Sequence, residues 1–159
     1  MSDTDTATGR FPEFDRFLCF SVYSAGHAFN RLYKPLLDPL GLTYPQYLVM
    51  VVLWETDDIT VGELGRKLAL ESSTLTPLLK RLEAAGRLER YRDAADERRV
   101  RIRLTPEGRA LRAQAQTVPG CVLEATGMSE DRLTELQRDL DTLRRSLLAQ
   151  EPAPDDAAQ

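Results

Sequence analysis

Apolar residues recur at Phe14, Leu18, Val22, Ala25, Phe29, Leu32 and Leu36, at gaps of three and four. That spacing predicts one face of a long amphipathic helix over Phe11–Lys34. Pro35 is expected to end or kink it near Lys34, and Pro39 with Gly41 to make a loop. Thr43-Tyr44-Pro45-Gln46 has the form of a capping box with proline in the first turn. The run Leu48–Trp54 that follows is apolar on every side. It reads as a buried helix, with a buried strand as the alternative because valine is frequent. Thr60-Val61-Gly62-Glu63 is a second capping box, opening a short helix that turns Leu64 and Leu68 inward. After the turn Ala69–Ser72, a helix is predicted from about Ser73 to Ala85, stopped by Gly86. Leu88–Arg92 and Arg99–Leu104 are strand-like runs joined by the polar stretch Asp93–Arg98, and Val100–Leu104 alternates strictly. Thr105-Pro106-Glu107-Gly108 opens another helix, which Pro119-Gly120 breaks or kinks. Leu133, Leu136, Leu140, Leu143 and Leu147 then form a heptad-like stripe suited to a partner helix.

The order is helix, helix, helix-turn-helix, hairpin, long helices. The expected fold is mainly α with a small β-hairpin wing: a winged helix-turn-helix with long N- and C-terminal dimerisation helices. Residues 1–10 are expected to be a disordered arm and 11–44 a helical dimerisation and sensing segment. Residues 45–108 would be the DNA-binding domain, 109–150 a second helical dimerisation segment and 151–159 a disordered tail. The apolar stripes at both ends exceed what the middle can cover, so a symmetric homodimer is expected.

At 100° per residue, Leu75, Leu78, Leu79 and Leu82 share about a third of the helix circumference. Ser73, Pro77, Lys80 and Ala84 lie opposite, flanked by Thr76 and Arg81. Hydroxyls, small apolar groups and cations suit the major groove, although an ordinary solvated face has the same pattern. Ser72 and Ser73 stand where a helix start favours a phosphate. Pro77 fits only if the helix starts late, near Thr74, and otherwise bends its first turn. The hairpin shifts the balance toward nucleic acid. Arg87, Arg90, Arg92, Arg98, Arg99, Arg101 and Arg103 face only four acids there, Glu89, Asp93, Asp96 and Glu97. Arginine is suited to phosphates and to narrow minor grooves. Asp96 is placed to hold Arg98 in one rotamer through a bidentate pair.

The chain has 159 residues and a net charge of −4, with 21 basic and 25 acidic side chains. The total does not exclude a nucleic-acid partner, because charge is uneven: the tail is acidic and the arginines are dense between Lys80 and Arg103. No apolar run approaches the ~20 residues of a membrane span. The polar N-terminus lacks a signal peptide's apolar stretch, so a cytoplasmic location is expected. The single histidine, His27, and two cysteines, Cys19 and Cys121, have no metal-ligand spacing, so no metal or cofactor is expected.

Leu75-Thr76-Pro77-Leu78-Leu79-Lys80-Arg81-Leu82, Asp96-Glu97-Arg98 and Leu104-Thr105-Pro106-Glu107-Gly108 resemble the MarR family of winged-helix regulators, over roughly Phe14 to Leu148. The resemblance places Ser73, Thr74, Thr76, Pro77, Lys80 and Arg81 on the recognition helix. It makes Asp96 and Arg98 the wing pair, with Arg99 beside them, and implies a palindromic double-stranded operator. Leu18-Cys19-Phe20 and Leu42–Leu48 further resemble the OhrR-type organic hydroperoxide sensors of that family. By that resemblance Cys19 is the reactive cysteine, organic hydroperoxide the effector, and oxidation releases DNA. Tyr23, Tyr33 and Tyr44 match the tyrosines that hydrogen-bond the sulfur, two of them from the other subunit.

Independently of the resemblance, Cys19 lies at the edge of the apolar stripe with Tyr23 one turn on. A packing role is the ordinary fate of such a cysteine. Counting the helix from Pro12 puts Cys19 about two turns in, where the dipole should help its thiolate little, so tyrosine hydroxyls are the better donors. Cys121 falls three residues from the position of the family's resolving cysteine. It is either a shifted resolving cysteine or inert. The runner-up function is a repressor released by a small aromatic acid, in a pocket that Phe14, Phe17, Phe20, Tyr23 and Phe29 would line. A thiol peroxidase would need a dedicated acid that only tyrosines supply, so an enzyme is not expected. A winged helix that binds only protein would present a more apolar outer face.

Overall fold

The computed structural model describes residues 13–150. The expected disordered arm (1–10) and tail (151–159) lie outside the described residues. The chain divides into two compact units, one through Gln116 and one from Thr117.

In the first unit, α1 (Leu18–Leu37) is preceded by a 3-10 turn at Phe14–Arg16. The helix therefore starts seven residues later than the apolar spacing predicts. Phe17 is extended (φ −78°, ψ 103°) and interrupts the helix although the apolar rhythm runs through it. Pro35 does not end α1 either. It stands in the last turn, where only one intrahelical bond is lost. The actual stop is Gly41, left-handed at φ 67°, after a 3-10 turn at Asp38–Leu40.

The run after Thr43 is α2 (Tyr44–Glu55), a helix and not a strand. Its capping box is complete: the Thr43 N–H donates to Gln46 Oε1 at 2.9 Å and the Gln46 N–H to Thr43 Oγ1 at 3.5 Å. Val49, Met50 and Leu53 are fully buried, while Val51 is an exposed apolar residue of the same run. The second capping box also forms, Thr60 with Glu63, and opens α3 (Val61–Leu68). Ala69, left-handed at φ 52°, turns the chain into α4 (Ser72–Ala84). The turn and α4 pack closely on α3: a Cβ on Gly65 would lie 2.8 Å from the Leu70 carbonyl oxygen in the turn and 3.3 Å from Leu75 Cδ1 of α4. Gly86 ends the recognition segment with φ 68°.

The wing is β2 (Leu88–Arg92) and β3 (Val100–Leu104), paired antiparallel with Leu88 opposite Leu104 and Arg92 opposite Val100. A third strand, β1 (Ile59–Thr60), adds to the other edge of β3, with Ile59 opposite Ile102. It is too short for an alternating pattern, and its existence rests on pairing with a segment 43 residues away. Leu64, Leu75, Leu79, Leu82, Leu88 and Ile102 make the core under the helix-turn-helix. Thr105 caps α5 (Pro106–Ala115), accepting the Gly108 N–H at 3.0 Å.

In the second unit, α6 (Val118–Thr126) carries Pro119 and Gly120 in its first turn, so the break falls just before them. Gly127 ends it, and Ser129 caps α7 (Glu130–Leu148). Leu140 and Leu147 of the heptad-like stripe are exposed within the chain. No single helix among the described residues is long and apolar enough to cross a membrane.

Within the first unit, the loop between α2 and β1 ties β3 to α5. Asp57 accepts the Asp58 N–H, the Leu104 N–H and an Arg109 guanidinium nitrogen, each at 2.8 Å. Burial pushes its carboxyl up, but the Leu104 N–H, Arg109 and the Asp58 N–H outweigh it, so the group is held below the usual carboxylate range. A depressed carboxylate contributes stability above its ordinary pKa and loses it as pH falls through the folded value. Asp57→Ala should cost about 2 kcal/mol near neutral pH, since it orphans a part-buried N–H. Urea titrations at falling pH should show that difference shrinking below about pH 4; a difference constant with pH would refute the assignment.

Candidate nucleic-acid interface

Helix α4 buries Leu75, Leu79 and Leu82 and leaves Leu78 half-buried. Ser73, Thr74, Thr76, Pro77, Lys80, Arg81 and Ala84 are exposed, as the helical spacing predicts. The helix starts at Ser72, not near Thr74, and continues through Pro77. Pro77 lies beyond the first turn and removes the N–H that would bond the Ser73 carbonyl. The Thr76 hydroxyl donates to the Ser72 carbonyl at 2.8 Å. Its lone pairs remain open to a donor such as adenine N6 or cytosine N4.

Ser72 and Thr76 face the wing across a cleft of about 400 Å³, which Arg66, Arg98 and Arg99 also line. The fold thus brings the Ser72 and Thr76 hydroxyls together with the guanidinium groups of Arg66, Arg98 and Arg99, and Arg90 also lines the cleft. Ser73, Thr74, Pro77, Lys80 and Arg81 project from α4 outside this cleft. Arg66 was not among the sequence-predicted residues. Its signal was available, since it stands on the exposed side of α3 opposite Leu64.

The wing arginines are not equivalent. The Glu83 carboxylate holds Arg90 at 2.6 and 3.0 Å and also accepts its N–H at 3.1 Å, which lowers the Glu83 pKa. Arg103 pairs with Glu89, and its guanidinium lies 4.8 Å from the Tyr91 ring centroid. Arg101 pairs with Asp58 and Asp93, and Arg92 donates to the Glu97 carbonyl at 2.7 Å. Arginine density therefore overstates the cations available to a ligand, because several of these side chains hold the hairpin together. Arg66, Lys80, Arg81 and Arg99 make no ion pair among the described residues. Arg98 makes a single 3.2 Å contact from Nε to Asp96 Oδ1, not the bidentate pair expected. The same oxygen accepts the Arg98 N–H at 3.1 Å, and the Arg98 side chain is 92% exposed. Asp96 fixes the root of Arg98 and leaves its fork free.

At the other end of this unit, Cys19 is exposed and stands second in α1, in its first turn. The expectation that it lay two turns in is corrected by the later helix start. The N–H groups of a first turn lack intrahelical partners, and the helix dipole acts there most strongly. Tyr23, one turn on, is 64% exposed and packs edge-on against His27 with centroids 4.4 Å apart. Tyr33 and Tyr44 stack at 4.3 Å, with Tyr47 beyond. Burial, then Tyr44 and Tyr47, pushes Tyr33 up to about 12; burial also raises Tyr44. Both are neutral hydroxyl donors at physiological pH. Tyr33 is 14 residues from Cys19, about 21 Å along the helix at ~1.5 Å per residue, so it does not serve the cysteine of its own chain. Phe14, Leu18, Phe20, Val22, Tyr23 and Phe29 are all exposed. Cys121, on α6, is exposed as well.

A helix-turn-helix followed by a cation-tipped wing, with a polar outer face on the second helix, is the architecture of winged-helix transcriptional regulators. A family model described as Transcriptional regulator SarA/Rot matches residues 31–114, and the chain belongs to this SarA/Rot and MarR type of regulator, not to an enzyme family. It is 50% identical over 135 residues to the HTH-type transcriptional regulator TtmR of Methylorubrum extorquens, covering 85% of this chain and 69% of that one. It is 44% identical over 130 residues to the organic hydroperoxide resistance transcriptional regulator of Bacillus subtilis, covering 82% and 88%. Among solved structures, AbfR of Staphylococcus epidermidis is 36% identical over 84% of this chain and 92% of that one, with a TM-score of 0.71. Reduced AbfR bound to DNA gives 0.69 at 36% identity, covering 82% and 90%. The disulfide form of AbfR gives 0.56 at 37% identity, covering 79% and 88%.

Proposed function

We propose that the chain is a homodimeric repressor that binds a palindromic operator and releases it when an organic hydroperoxide oxidises Cys19. Each α4 enters a major groove, with Ser72, Ser73, Thr74, Thr76, Pro77, Lys80 and Arg81 on its reading side. Each wing reaches a flanking minor groove through Arg98 and Arg99, with Asp96 steadying Arg98. The segments 11–44 and 109–150 supply the dimer contacts, which cover the exposed apolar faces of α1 and α7.

The observation that carries the gating is an exposed cysteine in the first turn of a helix whose neighbouring apolar side chains lack cover. The Cys19 thiolate attacks the outer peroxide oxygen, the O–O bond breaks, and the alkoxide leaves to become an alcohol. Sulfur is oxidised to the sulfenic acid and the peroxide is reduced. A thiol then condenses with the sulfenic acid and water leaves; Cys121 or an external thiol fills that role. Tyr23 of the same chain lies within a helical turn of the sulfur. Tyr33 and Tyr44 reach it only from the partner subunit, so the sensor is complete only in the dimer. Similarity to the hydroperoxide resistance regulator supports this reading.

The test is binding to a duplex selected from a random pool, measured by fluorescence anisotropy before and after one equivalent of cumene hydroperoxide. Oxidised protein should bind markedly more weakly; unchanged binding would sink the proposal. A second reading, release by a small aromatic acid, has its own observation: a cleft of about 340 Å³ lined by Lys34, Leu37, Leu42 and Tyr44 among others. The expected lining of Phe14, Phe17, Phe20, Tyr23 and Phe29 is not what surrounds it. Instead Phe14 packs on Phe20 at 4.5 Å, on an exposed face. Release by salicylate in a Cys19→Ser variant would favour this second reading.

A further inference from the structure

One face of the wing carries a polar network that the DNA-facing cleft does not explain. Arg101, on β3, extends toward the loop before β1. Its Nε lies 2.9 Å from Asp58 Oδ1, a second nitrogen donates to the Asp58 carbonyl, and a third lies 3.3 Å from Asp93 Oδ2. Tyr91, opposite Arg101 in the sheet, donates its hydroxyl to the same Asp58 carboxylate. Asp93 begins the wing tip: its carboxylate accepts the Ala95 N–H and its own N–H donates to the Arg99 carbonyl, both at 2.9 Å. One guanidinium thus ties together the loop before β1, the strand β3 and the root of the tip that carries Arg98 and Arg99.

Two further observations show that this contact is built in. Asp58 holds φ 56°, a left-handed conformation uncommon outside glycine. In that conformation both its carbonyl and its carboxylate meet Arg101. The Arg101 side chain is only 28% exposed, against 92% for Arg98, and each of its three nitrogens already faces an acceptor. A guanidinium so occupied is poorly placed to bind phosphate.

We propose that Arg101 is a positioning residue for DNA reading, not a DNA contact. Clamped between Asp58 and Asp93, it holds the wing at the angle from which Arg98 and Arg99 reach the duplex. This rests on the DNA-binding reading above.

The two roles predict opposite signs for one substitution. Asp58→Gly suits the left-handed backbone, removes the clamp and deletes a negative charge. If Arg101 touched DNA, freeing it beside one fewer acid would tighten binding. The clamp predicts the reverse: affinity for the selected duplex falls about tenfold, a typical effect of one lost groove contact. Hydroxyl-radical protection should disappear at the outer flanks, where the wings lie, and persist over the two half-sites under α4. Arg101→Met should give the same pattern. Arg101→Lys, which can pair with Asp58 but not span both acids, should recover part of it. Binding that is unchanged or tighter with intact flanks overturns the clamp. So does a uniform loss across the whole footprint in a variant that melts like the wild type. If Asp58→Gly does not fold, Asp93→Asn, which also frees Arg101 from an acid, decides between the same outcomes. A wild type with no footprint overturns the DNA-binding reading itself, which separates the two failures.

Discussion

Replacing Cys19 by serine should leave a protein that keeps its DNA in the presence of organic hydroperoxide. Serine preserves size and polarity at an exposed helix position but has no sulfur to oxidise. Cys19 is a free, exposed cysteine, so the substitution breaks no disulfide and empties no core position. Reduced wild type and Cys19→Ser should therefore bind the selected duplex within about twofold, a difference well below one kcal/mol. After one equivalent of hydroperoxide, the wild type should weaken by about 100-fold, within the usual range of coupling free energies. The variant should not change. Intact mass and peptide mapping on the same samples separate a sulfenic acid, a mixed disulfide and a Cys19–Cys121 bridge. A variant that still releases DNA on oxidation would remove the thiol from the mechanism.

Gly108→Ala should be the most damaging small substitution in the chain. A Cβ there would lie 1.9 Å from the Arg87 carbonyl oxygen and 2.9 Å from its carbon. Both are backbone atoms and have no rotamer to give. The same residue donates its N–H to Thr105 and accepts the Trp54 indole N–H at 2.9 Å. The Arg87 carbonyl also accepts the Thr105 N–H at 3.2 Å. Making room for one methyl therefore separates the first turn of α5 from the base of the wing and from α2. The expected cost is about 3–5 kcal/mol, at the upper end for single substitutions. Thermal unfolding should fall by roughly 10 °C or more for a chain of this length. A loss below about 1 kcal/mol would show that the close approach is not structural.

Much of this fold was legible in the sequence where local chemistry decides it. Thr43 with Gln46 and Thr60 with Glu63 set two helix starts, because a cap needs only partners three residues apart. The spacing of Leu75, Leu79 and Leu82 by itself assigns the buried side of α4. Failures occur where one backbone rotation or a distant residue decides. The start of α1 was misread because apolar side chains continue across the extended residue Phe17, and periodicity does not register one backbone rotation. Strand β1 needs Ile102 and Arg101 to exist at all. The division of the wing arginines into tied and free depends on Asp58 and Glu83, which stand 43 and 7 residues from their partners. The placement of Cys19 in a first turn follows from the extended backbone at Phe17, two residues before it, which the apolar rhythm does not register.

The tied arginines bear on how the protein would search a genome. DNA affinity that comes from cations displacing condensed counterions is indifferent to sequence and collapses as salt rises. Arg90, Arg101 and Arg103 already have carboxylate partners, so they displace few counterions on binding. Random DNA should then hold this protein loosely. The logarithm of its affinity should also decline less steeply with the logarithm of salt than seven wing arginines per subunit would dictate. A regulator built this way leaves non-specific sites quickly and depends on groove contacts for its residence at the right one.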